Sequence, residues 1–224
     1  MIKAVIFDMD GVLIDSVEMG FRARKRLLAQ YNVDLDAVPD PQGEKHRAAS
    51  LKMLLANVKL HSGIHIDHDE FAKISRDSMR EDLRRNDVSA DPKLIAFLEE
   101  LKQHHVICAI VSSGQRGGLD IKLDTLGIRQ YFSIIVTGSD VSEHKPHPDP
   151  YLYALKKLEL PVKQCVVIED SLTGVQAGLA AGCRVLGFVQ YNPPKDPLPG
   201  VVATIGSWSE INLSRLEQVL DDTK

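Results

Sequence analysis

Ile2-Lys3-Ala4-Val5-Ile6-Phe7-Asp8-Met9-Asp10-Gly11 is the stretch on which the fold turns: an apolar run stops abruptly at two aspartates. A run apolar on both faces of an extended chain suits a strand covered by helices on both sides. Outward from it, similar runs recur at Val106 to Val111, Ser133 to Val136, Cys165 to Ile168, Arg184 to Phe188 and Val201 to Ile205. Amphipathic segments separate them: Pro92 to His104, Leu119 to Leu126, Pro150 to Leu158, Thr173 to Ala181 and Ser209 to Leu220. Strand and helix in steady alternation predict an α/β fold, a doubly wound parallel sheet of Rossmann-like type. Right-handed crossovers then bring loops of one kind to a single edge.

One region departs from this rhythm. Between Ser16 and Asn86 the pattern is helical, with helices expected over Val17 to Tyr31, Arg47 to Leu60 and Asp69 to Arg85. Pro39, Pro41, Gly43 and Gly63 mark the turns. The expected organisation is a core of residues 1–15 and 87–224 with an inserted α-helical cap of residues 16–86. Composition fits a globular chain without nucleic-acid or membrane partners. The net charge of -4 draws it to neither nucleic acid nor anionic lipid, and 5% aromatic content offers little surface for base stacking. Ala4 to Phe7 is too short for a signal peptide, no stretch approaches the ~18 apolar residues of a membrane span, and three scattered cysteines suggest a reducing compartment. A cytoplasmic protein, monomeric or weakly self-associating, is expected.

Ligands of such sheets gather beyond the C-terminal ends of the strands, and those positions are polar here. The first strand is followed by Asp8-Met9-Asp10-Gly11 and the second by Ser112-Ser113-Gly114. Thr137-Gly138-Ser139-Asp140 and Lys145-Pro146 follow the third, and Glu169-Asp170-Ser171 ends the fourth. Four carboxylates cannot crowd together unaided: at an effective dielectric of ~20, two like charges ~4 Å apart repel by ~4 kcal/mol. A hard divalent cation with all-oxygen ligands relieves this, and Mg²⁺ is the natural companion of phosphate. If Asp10 holds a proton, the three remaining carboxylates balance Mg²⁺ plus Lys145.

The chemistry this permits is attack by Asp8 on phosphorus to give an acyl phosphate. Asp10 serves as the acid and base, first for the leaving alkoxide and then for water. Ser112, Ser113, Lys145 and the backbone amides after Asp8, at Met9 and Asp10, cradle the phosphoryl oxygens. Asp170 holds the metal, and Glu169 ligates it or orients a bound water. Gly11 permits the turn that returns Asp10 over the site.

Phe7-Asp8-Met9-Asp10-Gly11-Val12, Val111-Ser112-Ser113, Lys145-Pro146-His147-Pro148-Asp149 and Ile168-Glu169-Asp170-Ser171 resemble, in order and strand context, the four signatures of the haloacid dehalogenase (HAD) superfamily. The insertion point resembles the helical cap of its β-phosphoglucomutase and phosphoglycolate phosphatase branch. The resemblance implies an Asp10 backbone carbonyl among the metal ligands and a cis Lys145–Pro146 bond. β-Phosphoglucomutases carry a histidine early in the first cap helix, where this chain has Gly20, and their cap arginine stands in a different frame from Gly43-Glu44-Lys45-His46-Arg47. Those departures favour hydrolysis of a small phosphorylated metabolite, a sugar or short-acid phosphate, over mutase chemistry. Lys45, His46 and Arg47 are the candidate substrate contacts. Superfamily dehalogenases lack the second aspartate.

Plainer readings stand beside these. Asp and Gly favour ordinary turns, Ser112 could cap a helix, and Lys145 could be a surface residue before a proline. Asp149 suits an N-cap with Pro150 as the first helical residue. His61, His65 and His68 read as loop histidines, since Gly63 interrupts any helix aligning them. Arg22, Arg24, Lys25 and Arg26 read as a solvated helix face. Gly174, Gly178 and Gly182 read as close helix-on-sheet packing. A receiver-like phosphorylation switch also joins acidic residues, a hydroxyl and a lysine, but is shorter and lacks the Asp-x-Asp pair and cap.

Overall fold

A computed structural model describes residues 1–39, 51–85, 88–194 and 196–221. Its contacts divide the chain into two units, Met1–Ile14 with Val88–Lys224, and Asp15–Asp87.

The first unit is built on six parallel strands: β1 (Ala4–Phe7), β2 (Ile107–Val111), β3 (Phe132–Val136), β4 (Cys165–Glu169), β5 (Arg184–Phe188) and β6 (Ala203–Ile205). Their spatial order is β3-β2-β1-β4-β5-β6. The chain winds outward from β1 to β3, then returns to β1's other side at β4. The topological switch point lies between β1 and β4, where open parallel sheets place their ligands. β1 is buried throughout, as its uninterrupted apolar run requires. Its register sets Phe7 opposite Ile110 on one side and Ile168 on the other, so the tips of β1, β2 and β4 end level.

Alternate residues of the strands serve opposite faces. Ala4, Ile6, Ala109, Val111 and Val167 pack beneath α6 (Asp149–Leu158) and α7 (Leu172–Ala180), through Tyr151, Ala154, Val175 and Ala177. On the other face, Phe7 meets Phe97 of α4 (Pro92–Gln103), Phe132 and Trp208. α5 (Arg116–Leu126) buries Leu119, Leu123 and Leu126, and α8 (Leu213–Asp221) follows β6.

Several element ends differ from expectation by one to three residues, as where β6 starts at Ala203 and α5 at Arg116, and two differences have a clear physical reason. The helix expected over Ser209 to Leu220 is interrupted: a single 3-10 turn covers Trp208–Glu210, Ile211 is extended, and α8 starts at Leu213. The indole of Trp208, wedged among Phe7, Phe97 and Phe188, anchors that turn as a separate piece. In α6, Pro148 is the N-cap and Asp149 lies inside the first turn. Asp149 therefore does not cap; its charge complements the helix N-terminus.

The second unit contains α1 (Ser16–Ala29), α2 (Leu51–Ser62) and α3 (His68–Arg84). Leu27, Leu28, Val33, Leu35, Leu54, Val58 and Phe71 form its core. Asp15 and Asp67 cap α1 and α3 by accepting from Glu18 N and Glu70 N, each at 2.9 Å. The basic cluster of α1 is not uniformly solvated. Arg22 pairs with Glu18, Lys25 with Asp36 and Arg26 with Asp82, but Arg24 is buried, and burial lowers its pKa to about 10. Gly20 makes room for it, since a Cβ there would stand 3.0 Å from Arg24 Nη1. His61, His65 and His68 are exposed. Among the described residues, no helix is long and apolar enough to cross a membrane.

Candidate active site

Every group described here belongs to the sheet-bearing unit. Asp8 follows β1 directly, and its amide continues the strand by donating to Ile168 O at 3.0 Å. The chain then doubles back: Leu13 N and Ile14 N donate to Met9 O, and Gly11 N donates to Ile14 O. Gly11 carries φ +84°, and a Cβ there would fall 2.1 Å from Asp170 Oδ2. Glycine is thus required twice, for the turn and for the approach of the β4 tip.

The β2 tip places Ser112, nearly buried, with its amide on Val136 O at 2.9 Å and its Oγ accepting from Gly114 N at 3.1 Å. Ser113, beside it, is exposed. The Lys145–Pro146 peptide is cis. Lys145 Nζ has three acceptors: Asp8 Oδ1 at 2.5 Å, Glu169 Oε1 at 2.5 Å and Val111 O at 3.0 Å. All three donors of the ammonium are therefore committed to the tips of β1, β2 and β4. Lys145 thus holds the Asp8 carboxylate in place.

Glu169 is fully buried. Its Oε1 also accepts from Tyr151 Oη at 2.8 Å, and its Oε2 accepts from Asp170 N at 3.0 Å, Ser171 N at 3.2 Å and Ser171 Oγ at 3.1 Å. Gly174 leaves the space for it; a Cβ there would lie 1.8 Å from Oε1. Both oxygens thus accept protein hydrogen bonds that tie Glu169 to Lys145 and to the loop that carries Asp170. Asp170 Oδ2 accepts from Asn192 Nδ2 at 3.0 Å.

Electrostatics sharpen the picture. Burial pushes Asp8 well above the usual carboxylate range; Lys145 opposes that, while Glu169 and Asp170 add to it. Burial, reinforced by Glu169, raises Asp170 to about 7. Burial alone would lower Lys145, but Asp8 and Glu169 outweigh it and raise its pKa. One carboxylate oxygen from each of Asp8, Glu169 and Asp170 lies within 4.8 Å of the others. Among the described residues this is the one such cluster. A buried set of hard oxygen donors, with two members destabilised as anions, fits a divalent cation of the Mg²⁺ type.

The structure thus brings together Asp8, Lys145, Glu169 and Asp170, with Ser112 at the neighbouring strand tip. Asp10 is turned toward Lys122 of α5, whose Nζ lies 2.5 Å from Asp10 Oδ1. Lys45, His46 and Arg47 lie outside the described residues. Three participants escape the sequence reading: Lys122, Tyr151 and Asn192. Asn192 follows β5, so the rule applied to the first four strands would have reached it at the fifth. Lys122 borders the buried Leu119–Leu123 stripe, an uncommon place for an unpaired lysine. It adds a second ammonium that the formal charge balance from sequence omits. The three cysteines are buried, and burial pushes Cys108 and Cys183 up to about 12 and Cys165 to about 11, so they are inert thiols.

Comparison with known proteins bears on the same residues. Residues 5–188 match the haloacid dehalogenase-like hydrolase family. A phosphorylated carbohydrates phosphatase of Thermotoga maritima is 32% identical over 199 residues, covering 84% of this chain and 85% of that protein. Hexitol phosphatase A of Escherichia coli is 30% identical over 194 residues, covering 87% and 85% respectively. A HAD family hydrolase from Deinococcus radiodurans, solved with bound phosphate and sodium, superposes with a TM-score of 0.77 at 28% identity, covering 98% of this chain and 97% of that one. The match spans every strand tip of the site except the segment after β5, and the chain belongs to the haloacid dehalogenase-like hydrolases.

Proposed function

We propose that this protein is a Mg²⁺-dependent phosphomonoester hydrolase of phosphorylated sugars or sugar acids, working through an aspartyl phosphate on Asp8. The observation that carries the reading is the Asp8 carboxylate, held by Lys145 at 2.5 Å and grouped with Asp170 at the switch point of the sheet. The carbohydrate-phosphate class is supported by the names of the relatives from Thermotoga maritima and Escherichia coli.

Asp8 attacks phosphorus, forming a P–O bond to its carboxylate as the bond to the leaving oxygen breaks. Lys145 fixes the rotamer of Asp8, so the nucleophile meets the phosphoryl group in one orientation. Asp10 gives its proton to the departing alkoxide, then removes one from the water that cleaves the acyl phosphate. That second attack regenerates Asp8 and releases inorganic phosphate. Ser112, its neighbour Ser113 and the amides after Asp8, at Met9 and Asp10, face the phosphoryl oxygens. When bound, Mg²⁺ would supply electrostatic stabilisation of phosphoryl charge, with Asp8, Asp170 and the Asp10 carbonyl as its holders. Glu169 serves by keeping Lys145 and the Asp170 loop in place.

The test is phosphate release across a panel of sugar, polyol and sugar-acid phosphates, with and without Mg²⁺, for the native chain and for Asp8→Asn. Loss of a nucleophile should cost at least ~10³-fold. Full Mg²⁺-dependent activity in the Asp8→Asn protein would refute the nucleophile, and phosphate moved between sugar hydroxyls rather than released would make the chain a mutase.

A further inference from the structure

Lys122 Nζ stands 2.5 Å from Asp10 Oδ1, across 112 positions of sequence. Its place on α5 explains the reach. Leu119, Leu123 and Leu126 form the buried face, and Lys122, three residues beyond Leu119, borders it. From there its ammonium meets Asp10, just past the end of β1. The Lys122 side chain is 18% exposed, against 47% for Arg129 in its pair with Asp120 on the same helix. A hydrogen bond with one partner so covered holds its geometry better than a solvated surface contact.

Asp10 has two oxygens to offer. Lys122 takes Oδ1, and no described residue bonds Oδ2, although the side chain is 40% exposed. An acid and base must present one particular oxygen to the reacting atom, and a misplacement of ~1 Å can cost ~10²-fold. We propose that Lys122 is a positioning residue for the leaving-group step: by holding Oδ1 it turns Asp10 Oδ2 toward the departing ester oxygen. This rests on the reading of Asp10 as acid and base. As the P–O bond to the leaving group breaks, the proton on Oδ2 passes to the ester oxygen. In the return step Oδ2 accepts a proton from water as the water oxygen bonds to phosphorus. Lys122 touches neither phosphorus nor the moving proton.

Leaving-group dependence separates positioning from mere anchoring of α5. kcat/KM, which reports events up to transfer onto Asp8, is measured with an alkyl phosphate and with 4-nitrophenyl phosphate, whose leaving group needs little protonation. Lys122→Met should lower kcat/KM for the alkyl ester by ~30-fold or more and for the aryl ester by less than ~3-fold, a partial loss of the ~10²–10⁴-fold that a general acid supplies. Lys122→Arg should recover most of the alkyl activity. In an Asp10→Asn background, Lys122→Met should change little further, since both act on one step. Equal losses on the two esters, or full additivity with Asp10→Asn, would overturn the assignment. Thermal melts identify an unfolded variant, and Lys122→Arg then carries the test through the same ester ratio. A native protein that hydrolyses neither ester, or an Asp8→Asn protein that keeps its activity, would instead bring down the proposed function.

Discussion

Replacing Gly174 with alanine sets a methyl carbon where Glu169 already stands. The added Cβ would lie 1.8 Å from Oε1, 2.0 Å from Cδ and 2.3 Å from Oε2, so the carboxylate must leave its place. Glu169 there accepts from Lys145, Tyr151, two backbone amides and the Ser171 hydroxyl. Overpacking costs about 1–3 kcal/mol, and each lost bond to a charged group a further ~1.5–3. Against that, alanine improves the helix by ~1 kcal/mol over glycine. If two bonds are lost, the net destabilisation is ~5.5 kcal/mol, which for a chain of this size lowers Tm by ~11–22 °C. Trp208 is the only tryptophan and is buried against Phe7, so its fluorescence reports unfolding of the core that holds the site. Gly117→Ala is the control. Beyond its chain neighbours and its own helix backbone, no atom lies within 4 Å of the added Cβ, and α5 should gain ~0.5 kcal/mol. A Gly174→Ala protein melting within 2 °C of the native chain would refute the packing of Glu169 described above.

Two further outcomes follow from the same cluster. Asp170 is raised to about 7, so in the absence of metal the folded state binds more protons than the unfolded one up to that pH. Stability of the metal-free protein should therefore fall as pH rises from about 4 to about 7, and Mg²⁺ should restore it at neutral pH; a flat Tm in chelator across that window would contradict the burial of Asp170. Asn192→Ala frees Asp170 Oδ2 from its amide partner and should weaken Mg²⁺ binding by ~10-fold in calorimetric titration, with unchanged affinity counting against that role.

Much of this architecture is legible in the chain because the central strands announce themselves without alternation. Ala4–Phe7 and Cys165–Glu169 are buried at every position, and a run as apolar as Ala4–Phe7 or Cys165–Ile168 suits only a strand covered on both faces. Once strands are placed, chain direction alone puts Asp8, Ser112, Lys145 and Asp170 at one edge. What sequence does not carry is the pairing among those groups. Nothing near Glu169 says that its oxygens will be consumed by Tyr151, Ser171 and two amides rather than left free for an ion. Periodicity places Lys122 beside a buried stripe, but which strand tip it meets depends on the sheet order, a property of the whole fold. The broken helix at Trp208 is similar: the polar-apolar rhythm continues through Ile211, and only the ring packing of Phe97 and Phe188 separates the pieces.

The strand order also sets a schedule for biosynthesis. Ala4 leaves the ribosome before either of its neighbours in the sheet, Ile107 and Cys165. At ~5–20 residues per second, the about 100 residues to the first partner take ~5–20 s to appear, and the second comes later still. Throughout that interval β1 is a naked, greasy ribbon with no hydrogen-bonding mate, the sort of nascent segment that holdase chaperones shield.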